Sequence, residues 1–380
     1  MKIAVVYDCL YPHTVGGAER WYRSLAEGLV ARGHEVTYLT MRQWPRGADP
    51  GLPGVEVIPV APRMGLYARG RRRILPAVVF GAGLFWYLLR RGRRYDIVHT
   101  CSFPYFSLLA AAWLRPFGRY RLVADWFEVW STDYWREYLG RLGFLGAWIQ
   151  RLCARRRQVA FCFSRLHAER LRETGFRGHV TILEGLLADQ PPAPVVPADP
   201  LVVFAGRHIP EKRVPAIVPA IARVREQLPD LRCEIFGDGP DRDETLRLIQ
   251  EHGLNGAVEA PGFVSAERVR EAIGRALCLL LPSSREGYGL VVAEAASMGT
   301  PSVVVAGPDN AAAELIEHGV NGIVASSATP EDLAEAILLA QSGGETLRAS
   351  TKAWFDQNAV RLSIETSVDR VVSAYEQARA

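Results

Sequence analysis

The chain has 380 residues, 49% of them apolar, which is enough for two or three packed domains and excludes general disorder. Its 45 basic and 41 acidic residues leave a net charge of +4, too small to argue for a nucleic-acid partner. Six cysteines, Cys9, Cys101, Cys153, Cys162, Cys233 and Cys278, show no CxxC spacing and mostly lie in or beside apolar runs, so buried reduced thiols of a cytosolic protein are expected, with no disulfide framework and no zinc site.

The opening "MKIAVVYD" has one basic residue and a very short apolar run, which predicts a buried strand and not a signal peptide. A helix follows across 17–33, then a strand at 34–40. Further strands are predicted at 55–60, 96–100, 121–124, 159–163 and 180–183. The uncharged run 74–89, "ILPAVVFGAGLFWYLL", contains a proline and two glycines and falls short of the ~20 residues that span a bilayer. "LADQPPAPVVPADP" (187–200) carries five prolines and reads as a stiff linker.

The alternation then restarts, with strands at 201–206, 232–237, 278–282, 301–306 and 322–325 and helices between them. Strands alternating with helices imply βαβ units and parallel sheets. The expectation is therefore two Rossmann-like, doubly wound α/β domains, 1–186 and 201–360, facing a shared cleft, with ligands at the carboxyl ends of the strands. The last stretch, 361–378, is amphipathic, with Val368, Val371, Val372 and Tyr375 on one face.

Chemistry concentrates in "REGYGLVVAEAASMGTP" (285–301). A glycine turn feeding a helix offers backbone N–H groups and the positive end of a dipole to phosphate or sugar hydroxyls. Gly287 and Gly289 allow close approach of the backbone, and the carboxylates Glu286 and Glu294 suit vicinal hydroxyls. Equally, Glu286 reads as a helix cap and Glu294 as a solvent-facing side chain. "AGRHIPEKR" (205–213) ends a strand with Arg207 and Lys212, a cation pair suited to a diphosphate or to a plain surface loop. "PHTVGGAER" (12–20) places Gly16 and Gly17 at the start of a helix, a second anion notch. "DRD" (241–243) looks like an acidic metal motif, but it opens a helix, so Asp241 and Asp243 read as an N-terminal cap and no metal site is expected.

On "VGGAERW" (15–21), "AGRHIPEKR", "EIFGDGP" (234–240), "APGFVS" (260–265) and "PSSREGYGLVVAEAASMGTP" (282–301), the chain resembles retaining GT-B glycosyltransferases of the large family 4 (glycosyl transferases group 1). The match spans nearly the whole chain and is most specific in its second half. The resemblance implies transfer of a sugar from a nucleotide-diphosphate donor, UDP- or GDP-linked, with no further cofactor. It implies that Glu294 binds the donor ribose, that Glu286 contacts sugar hydroxyls, and that the 287–290 backbone (Gly287, Tyr288, Gly289, Leu290) meets sugar and diphosphate. Arg207 and Lys212, beside Gly206, would bind the diphosphate, with Gly17 approaching it from the first domain. The backbone at Phe263 and Val264 would read the base. It also implies that the C-terminal helix, 361–380, crosses back to the acceptor-side first domain.

One departure falls in "LVADWFEVWS" (122–131). The family commonly has a histidine there, near the donor sugar's C6 hydroxyl, and the alignment puts Phe127 in its place. Either the donor lacks that hydroxyl, or Asp125, Glu128 or His99 substitutes, or activity is reduced. Hence 6-deoxyhexose or pentose donors stand beside ordinary hexoses. Arginines at 69, 71, 72, 73 and 90, 91, 93, 94 bracket the 74–89 run, and "LGRLGFLGAWIQRLCARRR" (139–157) is similar. Such segments suit an anionic membrane surface or core-packed helices with solvated ends, so the expected location is cytoplasmic or peripheral at the inner face of the plasma membrane. The acceptor classes are lipid, glycan and small molecule. A non-catalytic nucleotide-sugar-binding or membrane-scaffold protein is the alternative. An NAD-dependent oxidoreductase is disfavoured, because "DCLYPHTVGG" replaces GxGxxG after the first strand.

Overall fold

Parallel strands that are apolar on both faces need a helix layer on either side. The computed structural model describes residues 1–68, 71–188 and 195–377. The chain divides into two compact units, Met1–Ala188 with Ser363–Ala380, and Asp189–Leu362. Arg69, the middle of the proline-rich stretch (189–194) and residues 378–380 lie outside the described residues.

In the first unit the chain runs β1 (Lys2–Val6), α1 (Gly17–Ala31), β2 (Glu35–Met41), β3 (Glu56–Ala61), a short pair β4 (Tyr67–Ala68) and β5 (Arg71–Arg72), then α2 (Ile74–Arg91). It continues as β6 (Ile97–Cys101), α3 (Tyr105–Gly118), β7 (Arg121–Trp126), α4 (Thr132–Leu139), α5 (Gly143–Ala154), β8 (Val159–Cys162), α6 (Arg165–Glu173) and β9 (Val180–Ile182). The seven parallel strands lie in the order β3-β2-β1-β6-β7-β8-β9. Strand order therefore reverses between β1 and β6, the switch point where such sheets open a ligand crevice. Right-handed crossovers put α1 on one face of the sheet and α2 to α6 on the other.

The second unit repeats the plan: β10 (Leu201–Ala205), α7 (Ile217–Arg225), β11 (Arg232–Phe236), α8 (Arg242–Glu251), β12 (Val258–Gly262), α9 (Ala266–Arg275) and β13 (Cys278–Leu281). Then follow β14 (Arg285–Glu286), α10 (Leu290–Ser297), β15 (Ser302–Val305), β16 (Asp309–Asn310), β17 (Gly322–Ala325) and α11 (Pro330–Leu362), which is broken at Gly344. The six-strand parallel order is β12-β11-β10-β13-β15-β17, so its switch point lies between β10 and β13.

The final helix, α12 (Ile364–Gln377), belongs to the first unit. Arg32 at the end of α1 bonds Glu365 at 2.8 Å and Asp369 at 2.9 Å. Val368 fills the space over Gly28, where a Cβ would sit 3.1 Å away. The Ser367 hydroxyl accepts from the Gly185 amide at 3.1 Å.

Two expectations need correction. Strand β12 was not anticipated: it is an edge strand in which Val258 and Ala260 face inward while Glu259 and Pro261 face out, and proline hides the β signal. The uncharged run 74–89 by itself falls short of a bilayer span. The helix runs on through its arginines, and Ile74–Arg94 is long and apolar enough by length and composition. It is nevertheless a wall of the domain. A Cβ on Gly81 would stand 2.6 Å from that of Phe106, and Gly83 lies on the Val60 carbonyl. All six cysteines are free and buried. Burial pushes their thiols up, that of Cys278 to about 12.

Candidate active site

The loops that follow β10 and β13, the two strands at the switch point of the second unit, carry the candidate residues. The loop after β10 is stitched to its neighbours through the main chain: His208 N–H donates to the Asp238 carbonyl at 2.9 Å, and Asp241 N–H to the His208 carbonyl at 3.0 Å. Glycines 237 and 239 have positive φ, and a Cβ on either would strike the backbone of Gly206 or His208. Their spacing therefore serves loop-on-loop contact. Pro210–Lys212 forms a turn of 3-10 helix, closed by Arg213 in the left-handed region. On the other side Ser284 N–H donates to the Glu211 carbonyl at 2.8 Å.

This stitching brings Lys212 onto Glu286, 74 residues later, in a direct Nζ to Oε1 ion pair. The Ser283 hydroxyl donates to the same Oε1 at 2.9 Å. Glu286 is buried, held by the β14–β16 pairing that sets it opposite Asn310. Among the described residues both bonds fall on Oε1, and Oε2 takes neither. Asn310 is itself buried: its amide donates to the carbonyls of Ser283 at 3.1 Å and Val305 at 2.8 Å, and its Oδ1 accepts from Ala312 N–H at 3.1 Å. Ser283 and Asn310 were missed from sequence. Ser283 lies inside the quoted motif, but Asn310 works through main-chain carbonyls, which leave no spacing pattern.

Gly287 and Tyr288 complete the turn, and Gly289 begins α10 with φ +91 and no side-chain cap. A Cβ at 289 would lie 2.6 Å from that of Ala312. The first-turn amides of Leu290 and Val291, aligned with a helix dipole, favour an anion, while Val292 N–H donates to the Gly289 carbonyl at 2.9 Å. Glu294 is half-buried one turn further on, and Arg207 is exposed on the β10 loop. Phe263 is 76% exposed and Val264 half-buried just beyond β12. His208 is buried with neither ring nitrogen hydrogen-bonded among the described residues. Burial lowers its pKa, so it packs as a neutral ring near pH 7. Asp241 occupies the N-cap position of α8, but its side chain makes no capping bond, while Asp243 and Glu244 lie in the first turn. The dipole reading thus holds for Asp243, and the side-chain cap at Asp241 is corrected.

In the first unit Gly16 and Gly17 open α1, and a Cβ at 16 would collide with the buried Glu19 carboxylate. His99 and Asp125, two of the possible substitutes for the missing histidine, lie in the core. Both are fully buried: His99 Nε2 meets Asp125 Oδ1 at 2.7 Å, His99 Nδ1 meets the Tyr375 hydroxyl at 2.5 Å, and Trp21 Nε1 donates to Asp125 Oδ2 at 2.7 Å. The network fastens α12 and α1 to the sheet and uses every polar atom of both side chains. Phe127 is half-buried, its ring stacked on Phe163 at 4.0 Å. Glu128 Oε2 accepts from Trp130 Nε1 at 2.8 Å. Arg72, expected among the bracketing arginines, turns inward to the buried Asp8 carboxylate.

Two family models match the sequence: Glycosyltransferase Family 4 over residues 15–185 and Glycosyl transferases group 1 over 189–353. An exopolysaccharide phosphotransferase of Streptomyces coelicolor is 33% identical over 46% of this chain and 18% of its own length. An alpha-D-kanosaminyltransferase of Streptomyces kanamyceticus is 29% identical over 47% of this chain and 46% of its own. The chain thus spans less than half the length of these curated relatives. In fold it is similar to a sucrose-phosphate synthase from Thermosynechococcus elongatus, with TM-score 0.82 and 20% identity over 99% and 98% of the two chains. It is also similar to Anabaena HepE solved with UDP-glucose, with TM-score 0.75 and 18% identity over 99% and 100%. One glycosyltransferase model thus matches each of the two doubly wound parallel-sheet units, and the fold is that of the GT-B neighbours.

Proposed function

We propose that the chain transfers a sugar from a nucleotide-diphosphate donor to an acceptor, with retention of anomeric configuration and without a divalent metal. The observation that carries the reading is the Lys212–Glu286–Ser283 cluster beside the uncapped start of α10. A carboxylate neutralised by an ammonium is a poor nucleophile and a good acceptor for hydroxyls. Glu286 then holds the sugar, and Glu294 the ribose. Negative charge grows on the leaving diphosphate, and Lys212, Arg207 and the α10 amides stabilise it most where it is largest. With no protein nucleophile assigned, the leaving phosphate takes the acceptor's proton on the same face of the sugar. The Phe263–Val264 backbone is assigned to the base, and the first unit to the acceptor. UDP is the first donor base to test, since the Anabaena neighbour was solved with UDP-glucose.

The test is a panel of UDP- and GDP-sugars assayed by thermal shift and by donor turnover, in chelator and with manganese. A bound donor raises the melting temperature by mass action. Donor binding with no turnover on any acceptor would leave a binding protein. Turnover abolished by chelator and restored by manganese would reverse the metal-independent reading. An inverted anomer by NMR would reverse the stereochemistry.

A further inference from the structure

On the first unit α2, α3 and α5 lie side by side, and their outward surface is not that of a water-soluble helix layer. The solvent stripe of α2 is Leu75, Val78, Ala82, Trp86 and Leu89, at the spacing of one helix face. On α3 the outward residues include Trp113, 62% exposed, and Phe117, 66% exposed. On α5 they are Phe144, 63% exposed, and Trp148, 59% exposed. The three helices are neighbours. Phe106 of α3 packs on Gly81 of α2, Arg93 just past α2 donates to the Phe117 carbonyl at 3.1 Å, and Tyr105 of α3 donates to Gln150 of α5 at 2.8 Å. Exposed apolar areas of this kind mark an interaction surface.

Charge selects the occupant. None of the three helices contains an Asp or a Glu. Exposed arginines flank the apolar residues: Arg90 and Arg91 at the end of α2, Arg141 just before α5, Arg151 within it and Arg155 just after it. Arg90 lies over the Trp86 ring at 5.3 Å, keeping its cation at the edge of the apolar surface. We propose that this face lies flat on an anionic lipid bilayer, with the indoles and Phe117 at the acyl boundary and the arginines among the headgroups. A two-fold contact with a second copy would set arginine rim against arginine rim. Spanning by α2 would require stripping its glycines from Phe106 and Val60, which the domain's packing opposes. The proposal is independent of the donor chemistry.

The test is co-sedimentation of the whole protein with vesicles of pure phosphatidylcholine and of phosphatidylcholine with 30% phosphatidylglycerol, at low and high salt, with tryptophan emission read against brominated acyl chains. The expected result is binding to the anionic vesicles at low salt, at least tenfold weaker to the neutral ones, with a blue-shifted emission that brominated lipid quenches. Trp113→Ser with Phe117→Ser should weaken binding more than tenfold, and each of Arg141→Gln, Arg151→Gln and Arg155→Gln by about fivefold. All these side chains are exposed, so melting temperature and circular dichroism should not move. No binding, equal binding to neutral and anionic vesicles, absence of quenching, or wild-type binding by the Trp113/Phe117 double variant would each overturn the proposal. So would a concentration-dependent dimer in lipid-free solution that the same double variant abolishes while vesicles capture neither form.

Discussion

In the first unit Asp125 and His99 have no exposed side-chain surface, and each of their polar atoms is bonded within the fold. In the second, Glu286 and Lys212 are paired as directly, yet 10% and 17% of their side chains remain in contact with solvent. The residue types are alike, a carboxylate against a nitrogen, and each pair lies at the carboxyl end of its sheet. What separates them is spare bonding capacity. Both oxygens of Asp125 are bonded and closed to solvent, whereas among the described residues Glu286 Oε2 takes no bond and Lys212 has two N–H donors beyond its ion pair. A buried polar pair with every polar atom bonded fixes structure, and one left partly open at a strand end can receive a ligand.

The contrast is broken most sharply at the open pair. Glu286→Gln and Lys212→Met should lower kcat/KM by about 10³-fold, within the range for removing one transition-state charge contact. Each should cost less stability than the loss of Asp125, because water reaches the rim of the pair. Steady-state kinetics beside a melting curve checks this, and wild-type kcat/KM in either variant would remove that residue from the chemistry.

At the closed pair the expectation inverts. Asp125→Ala leaves Trp21 Nε1 and His99 Nε2 as buried donors without partners, each costing about 1–3 kcal/mol. The unit should lose about 3 kcal/mol, roughly 10 °C in melting temperature, while kcat of the folded fraction stays within a few-fold. A large fall in kcat with an unchanged melting curve would move Asp125 from the core to the site.

A third change tests whether the open site is built of backbone. Gly289 sits at φ +91 against Ala312, so Gly289→Ala should cost about 1–3 kcal/mol of strain and weaken donor binding by tilting the first turn of α10. Titration calorimetry with the donor and with the free nucleotide checks it. Equal affinities for wild type and variant would exclude the α10 amides.

The strands were legible because β-branched apolar runs between turns leave few other readings. Within the two large sheets the exception, β12, is an edge strand carrying Pro261 and Gly262; the two-residue strands β4, β5, β14 and β16 are too short to leave a pattern. Half of the candidate site was legible because Glu286, Gly287, Gly289 and Glu294 fall within one short motif. Local spacing also exposes a glycine turn that leads into a helix. The closed network was not legible, since Trp21 and Tyr375 stand 104 and 276 residues from their partners, and no local pattern encodes such a bond. The same limit explains why Arg72, one of a run of arginines, gave no sign that it turns inward to Asp8.

The smallest effect concerns Phe127, where the two units' chemistry is compared most finely. Its ring stacks on Phe163 at 4.0 Å with an interplanar angle of 1°, and Tyr22 approaches edge-on at 6.3 Å. The polar residues nearest in sequence are engaged elsewhere: Asp125 with His99, and Glu128 with the Trp130 indole. If this wall faces the C6 position of the donor sugar, a hydroxyl there goes unpaired, at about 1–3 kcal/mol. A 6-deoxyhexose or a pentose avoids that cost, so such donors should be preferred about tenfold over their 6-hydroxy counterparts. Phe127→His keeps a flat ring against Phe163 and adds a donor, so it should erase or reverse the preference with little change in melting temperature. The measurement is kcat/KM for nucleotide sugars that differ only at C6. A preference for the 6-hydroxy donor that is the same in wild type and in Phe127→His would show that this aromatic wall does not read C6.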